Sequence, residues 1–345
     1  MRAMPATDPD LLARAQGGDN AAFDALVAPH RRRIHLHCYR MLGSPHDADD
    51  ALQETLLAAW RALASFEGRS ALGTWLHRIG TNVCLRLIEQ RPRRLLSPEH
   101  GPAFAQTAEL GTPVPGPVWI EPMPENETLE DEAHEDPATT LLRRERVALA
   151  FVAALQHLPG TQRAVLLMRE VLGYSAAEVA EALALSTASV NSALQRAQKT
   201  VAQKLPAVPQ AAELQAVGTA GLEQLLGAFA RAWDARDVPA LVSLLTEDAR
   251  FTMPPLPAWF DGREAVARFL AERVFQTPWI LRPLRANGQV GYACYLCEAG
   301  DDRFRLGAIT LLALRAGRIS GLHSFLEPAV HQRFGLPPEI VPPDR

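Results

Sequence analysis

Lysine is all but missing from the 345 residues, standing only at 199 and 204, so nearly every cationic side chain is an arginine. That usage suggests a GC-rich genome and little else. Long apolar runs are missing too: no stretch approaches the roughly 20 residues of a membrane-spanning helix, and Met1 to Gln16 has no apolar core of the signal-peptide kind. A soluble, cytoplasmic protein is expected. Cysteine is scarce: Cys38, Cys84, Cys294 and Cys297 are all there is, and only the last two have the spacing of a metal or redox pair. Tyr292 to Glu298 reads as a β-strand, in which residues three apart point to opposite faces and cannot share an ion. No metal and no cofactor is expected. His35, His37 and Cys38 lie on an apolar helix, where packing explains them. Between Arg94 and Arg143 cations vanish altogether, and the gap holds Glu121, Glu125, Glu127, Glu130, Asp131, Glu132, Glu135 and Asp136.

The length exceeds what one hydrophobic core organises, so two or three domains are expected. A net charge of −4 speaks against nucleic acid only if it is spread evenly, and it is not. Arg31, Arg32, Arg33, Arg40, Arg69, Arg78, Arg86, Arg91, Arg93 and Arg94 crowd the start of the chain. From residue 8 to 94 the periodicity is helical: Phe23, Leu26, Val27 and Ile34 recur on one face, and Ser44-Pro45 followed by Asp47 supplies a cap, a first-turn proline and an acid for a helix to about Leu63. After a break at Phe66-Glu67-Gly68 a further helix places Trp75, Leu76, Ile79, Val83 and Leu87 inward. Residues 95–135 lose all periodicity and gather proline and acid, which predicts a linker kept extended by self-repulsion.

Asp136-Pro137 has the form of a cap for a helix through Leu142, Val147 and Phe151, opening a second territory over 136–205. Within it Ser175-Ala-Ala-Glu178 is a capping box for a short helix with Val179, Ala180 and Leu183 inward. Ser186 caps a second helix whose buried stripe is Val190, Leu194, Ala197 and Val201. Two short helices joined so tightly predict a helix-turn-helix. Residues 206–218 read as a second linker. Helices over Leu222–Arg236, Val238–Leu245 and Arg263–Val274 then alternate with strands at Ala249–Met253, Trp279–Ala286, Gln289–Glu298, Arg303–Arg315 and Arg318–Phe325. Asn287-Gly288 and Ala316-Gly317 mark hairpin turns. An α+β domain over 219–328 is expected, with a tail at 329–345.

The motif Asp47-Ala-Asp-Asp-Ala-Leu-Gln-Glu-Thr-Leu-Leu-Ala-Ala-Trp60, followed by Phe66 to Asn82, resembles region two of the extracytoplasmic-function sigma factors, and Leu158-Pro159, Tyr174-Ser175 and Ser189 to Ala197 resemble their region four. The resemblance implies a multidomain protein with two all-α domains that binds core RNA polymerase and promoter DNA. It implies polymerase docking by Asp47, Asp50, Gln53, Glu54 and Leu57; the plainer alternative is a solvated helix face. It places Phe66, Arg69, Ser70, Arg78, Asn82, Arg86, Arg93 and Arg94 against the minus-ten element. There a loop suited to capturing unstacked bases lies beside phosphate-binding arginines. Phe66 and Trp75 also suit a core. It places Thr187, Ser189, Asn191, Ser192, Gln195, Arg196 and Lys199 in the major groove near the minus-thirty-five element. Many relatives carry cations where this chain has Asn191 and Ala193, and Ala184 holds a turn position usually given to glycine. In that family the acidic linker threads through the polymerase.

Residues 219–328 resemble the SnoaL-like, nuclear-transport-factor-like folds, on element order and on Trp233-Asp-Ala-Arg-Asp237 with Met253 to Gly262. That implies a cone-shaped α+β domain with a possible pocket for a small ligand at Trp233, Asp234, Tyr292 and His323, with Asp248 a further candidate. His323 is read as sharing a face with Ile319 and Phe325. No catalytic residue is assigned, and a control role for the domain is expected. The alternative to a sigma factor is a stand-alone helix-turn-helix regulator with a ligand-binding C-terminal domain.

Overall fold

The computed structural model describes residues 8–128, 147–298, 300 and 302–341. They form two compact units: Met1–Arg94 with Ala150–Leu205, and Leu95–Leu149 with Pro206–Arg345. The proposed cap at Asp136-Pro137 and the helix through Leu142 lie outside the described residues.

The first unit is helical. Helices α1 (Pro9–Gln16), α2 (Asn20–Leu42), α3 (Pro45–Ala62) and α4 (Leu72–Gln90) pack on one another. Every residue of α2 from Ile34 to Leu42 is buried, polar ones included, so it forms the centre of the bundle. Gly43 ends it in a left-handed turn (φ 76°) that returns its N–H to Tyr39 O. The predicted cap of α3 is present, with Ser44 Oγ accepting from Asp47 N. Helices α5 (Leu149–Gln156), α6 (Gly160–Leu166), α7 (Ala176–Leu183) and α8 (Thr187–Lys204) complete the unit. Ser175 and Glu178 make both bonds of the capping box, and Ser186 Oγ caps α8 through Ser189 N. Val190, Ala193, Ala197 and Val201 are its buried stripe, with Leu194 partly covered.

The second unit opens with α9 (Gln210–Asp234), kinked at Gly218, and continues through α10 (Val238–Ser243), α11 (Arg263–Glu272) and α12 (Pro328–Arg333). Its sheet comprises β1 (Leu245–Thr252), β2 (Trp259–Asp261), β3 (Trp279–Ala286), β4 (Gln289–Leu296), β5 (Phe304–Arg315), β6 (Arg318–Phe325) and β7 (Glu339–Ile340), ordered β2-β1-β6-β5-β4-β3 with β7 on β5. The meander β3 to β6 is antiparallel as expected, but β1 pairs parallel with β6, so the sheet is mixed. Asn287 and Ala316 both take positive φ (52° and 50°), as tight hairpin turns require. The first half of α9 falls where a linker was expected. It is docked by two buried side chains, Gln210 accepting from Leu314 N (2.9 Å) and Glu213 from Ala316 N (2.8 Å).

The proline- and acid-rich stretch also differs from the extended spacer expected of it. Its described part, up to Thr128, is bound along the sheet domain. Phe104 N donates to Trp259 O, Trp259 Nε1 donates to Gly101 O, and Val114 N donates to Pro255 O, all within 2.9 Å. Asn287 Oδ1 accepts from Met123 N (2.7 Å) and its amide nitrogen donates to Val147 O (2.6 Å), so one side chain ties both ends of the intervening segment. Glu125 accepts from Gly288 N and Glu127 pairs with Arg333. Trp119, Ile120 and Met123 are buried, and those apolar anchors were outweighed in the composition by the surrounding acids.

Candidate polymerase-docking and nucleic-acid interfaces

Helix α3 presents Asp50, Gln53, Glu54 and Leu57 at spacings of three and four, which places them on one face. Asp50, Gln53 and Leu57 are exposed and Glu54 is half-buried; Leu57, at 57% exposure, is one of few large apolar side chains left open to water. Asp47 does not join them. It is buried, pairing with Arg94 (2.7 Å) and with Arg91, so it ties the chain after α4 to the start of α3. Arg94 is correspondingly buried and withdrawn from the phosphate-binding set. Neither burial was legible from helix phase alone, because the partners are far apart in sequence.

On α4 the residues Arg78, Asn82 and Arg86 stand one turn apart on an open face, and Arg69, Ser70 and Arg93 are exposed nearby in sequence. Arg69 pairs with Glu67, and Arg86 pairs with Glu54 across the α3–α4 contact. Phe66 is buried against Trp75, with ring centroids 4.9 Å apart and planes tilted by 41°, so in this conformation it is packing rather than an open base-stacking platform. In the helix-turn-helix, Thr187, Ser189, Asn191, Ser192, Gln195, Arg196 and Lys199 are all exposed. Ala193, by contrast, is buried in the pair's core, so a cation there would face inward rather than toward DNA.

Under the exposed faces lies a group of buried histidines. His37 Nε2 meets Thr81 Oγ1 at 2.8 Å, and His77 Nδ1 donates to Gly73 O at 2.7 Å. Burial pulls His77 down to about 4 and His37 well below the usual histidine range, with Arg40 adding to both. His77 also meets Tyr174 of the helix-turn-helix half edge-on at 6.3 Å. Packing, as expected, accounts for His37.

The candidate pocket residues of the sheet domain do not converge. Trp233 and Tyr292 lie in the apolar core, each beside Phe229. Asp234 is exposed at the end of α9, and Asp248 is held by Arg315, which draws its carboxyl down to about 2. His323 alternates with Leu322, which belongs to that core, and bonds Thr252 Oγ1 through Nδ1 at 3.0 Å. Ile319 does not share its face. A bulge at Ser320, where Ala313 pairs with Gly321 but Leu314 with Ile319, shifts the alternation and turns Ile319 into the core.

Two functional candidates escaped the sequence reading, Gln156 and Arg163. Both are buried, and they join α5 and α6 to the end of α2. The available signal was a cation at the head of the apolar run Ala164-Val-Leu-Leu-Met168, which helical phase alone does not separate from a surface arginine.

Three family models match the chain: Sigma-70 region 2 over residues 26–94, Sigma-70 region 4 over 148–201, and SnoaL-like domain over 226–322. The ECF RNA polymerase sigma factor SigG of Mycobacterium tuberculosis is 41% identical over 321 residues, covering 92% of this chain and 85% of that protein. SigM of the same organism, also an ECF RNA polymerase sigma factor, is 32% identical over 201 residues, covering 58% of this chain and 85% of its own. Among solved structures, the extracytoplasmic function sigma factor SigJ of M. tuberculosis shares the fold, with a TM-score of 0.57 at 21% identity, over 88% of this chain and 96% of that one.

Proposed function

Because this chain belongs to the extracytoplasmic-function RNA polymerase sigma factors, we propose that it docks on core polymerase through Asp50, Gln53, Glu54 and Leu57 of α3 and directs initiation through two DNA-binding surfaces. Arg78, Asn82, Arg86 and Arg93 with the exposed Arg69–Ser70 loop serve the minus-ten element, and Thr187, Ser189, Asn191, Ser192, Gln195, Arg196 and Lys199 serve the minus-thirty-five element. The observation that carries this reading is the open face of each: an acidic helix tipped by an exposed leucine beside an arginine-lined helix, and a capped helix-turn-helix with every candidate reader outside. Arginine contacts to phosphate supply affinity and salt dependence, and polar side chains in the groove supply choice of sequence. Each surface alone is weak, and polymerase makes their binding joint.

The sheet domain serves control rather than catalysis. In support, its candidate acid and base groups lie on different faces, while its hairpin and β2 hold the very segment that joins the two DNA-binding regions. Among the described residues no helix is long and apolar enough to cross a membrane. Run-off transcription on a promoter library with added core polymerase tests the assignment. Specific transcripts are expected only with both components, and a shift of promoter DNA by the chain alone, with no transcript when polymerase is added, would instead mark a stand-alone regulator.

A further inference from the structure

The guanidinium of Arg163 is buried, yet among the described residues every hydrogen-bond acceptor it has is a neutral oxygen. Its Nη1 donates to Met41 O and to Gln156 Oε1, and its Nη2 donates to Gln156 O (3.2 Å) and Leu158 O (3.1 Å). Met41 is next to the last residue of α2, where carbonyls have no partner within the helix and the dipole favours a cation. Gln156 Nε2 adds a bond to Arg40 O (3.3 Å) beside it. The fit is close: a Cβ on Gly43 would lie 3.1 Å from Gln156 Cδ, and one on Gly160 would lie 3.1 Å from Leu85 Cδ2 of α4. Burial draws Arg163 down to about 9, with Arg93 adding like-charge repulsion, so it remains a cation at neutral pH.

We propose that Arg163 and Gln156 form a latch that holds the helix-turn-helix half against the end of α2, and that this latch must open before both DNA-binding surfaces engage one promoter. The need to open rests on the two-contact reading above and on size. The minus-ten and minus-thirty-five elements are about 25 base pairs apart, roughly 85 Å at about 3.4 Å per pair. A compact unit of about 150 residues has a radius of gyration near 15 Å, and both surfaces lie in one such unit. At about 3.3 Å per residue the chain from Arg94 to Ala150 can span that distance, provided the hold of the sheet domain on its described part is released.

The bonding pattern also explains how the latch opens without unfolding either half. Arg163 keeps its bonds to Gln156 and Leu158 within its own half, and of the described bonds made by Arg163 and Gln156 only those to Met41 O and Arg40 O cross to the other. On separation those carbonyls pass to water at a helix end, a place where water normally serves them. No carboxylate takes part in the bonds that Arg163 makes, so salt that weakens the DNA contacts leaves the latch closed.

Energy transfer between dyes on the full-length chain tests this. Because all the native cysteines are buried, labels go to Arg61→Cys on α3 and Gln203→Cys on α8, both exposed positions. The parent chain should show one high-transfer population, unchanged between low and high salt. Gln156→Ala and Arg163→Met should raise the low-transfer population about tenfold or more, as expected for losing hydrogen bonds to a charged group, and Arg163→Lys should fall between. Core polymerase should move the parent chain to the same low-transfer state. Should Arg163→Met lose helix by circular dichroism, Gln156→Ala decides alone. Folded variants with the parent's transfer efficiency overturn the latch while leaving the initiation reading intact; absence of run-off transcripts from the parent chain with core polymerase fails that reading instead.

Discussion

At Ala184 the chain enters the left-handed region (φ 52°, ψ 44°) with a side chain that disfavours it, between the two helices of the DNA-binding pair. A left-handed alanine costs about 1 to 2 kcal/mol and glycine avoids most of that. Ala184 is exposed, so its methyl contributes little packing. Ala184→Gly should therefore stabilise the helix-turn-helix by about 1 kcal/mol, read as a higher denaturant midpoint with unchanged slope. His77 gives a prediction of opposite kind. Its folded value of about 4 lies below the ordinary 6.5, so the unfolded chain takes up the proton first as pH falls. Stability is full above about 6.5 and declines toward 4, by on the order of 3 kcal/mol at the lower end for this residue. Urea titrations at successive pH values should show that decline, and His77→Gln should flatten it.

Among the elements, the junction of α3 and α4 shows how much a sequence pattern conceals. Helix phase and capping placed Asp47 in the first turn correctly, but its carboxylate faces Arg94 and Arg91 rather than a partner protein. Asp47→Asn should cost about 3 kcal/mol, because removing one member of a buried pair leaves the other charge uncompensated. The loss should appear in thermal melts of the chain without polymerase, whereas a surface docking residue would leave those melts unchanged. On the sheet domain the β3–β4 turn makes a comparable contrast. Asn-Gly announced the hairpin, and its left-handed φ was implied by that. Only the fold reveals that the Asn287 amide also binds Met123 and Val147. Asn287→Gly keeps the turn while deleting the amide, so limited proteolysis should cut residues 95–128 faster with little change in the sheet's melting.

For the whole molecule, the sheet domain's hold on the segment between the DNA-binding regions gives it a physical route to control. Ending the chain after Leu205 should alter promoter-specific transcription at limiting core polymerase. Equal transcript yields from the full and shortened chains across conditions would remove the case for control. The sequence by itself determined what is local: the limits of α3, α7 and α8 from caps and periodicity, the exposed face of α8, the hairpin turns, and the order of the territories, because each depends on neighbours within a few residues. The tertiary structure alone decided which charges are buried in pairs, which strand face His323 occupies after the bulge at Ser320, where the proline-rich segment binds, and that Arg163 closes on the end of α2. Those outcomes depend on partners distant along the chain, and a side chain's burial or charge compensation is set by what folding brings beside it.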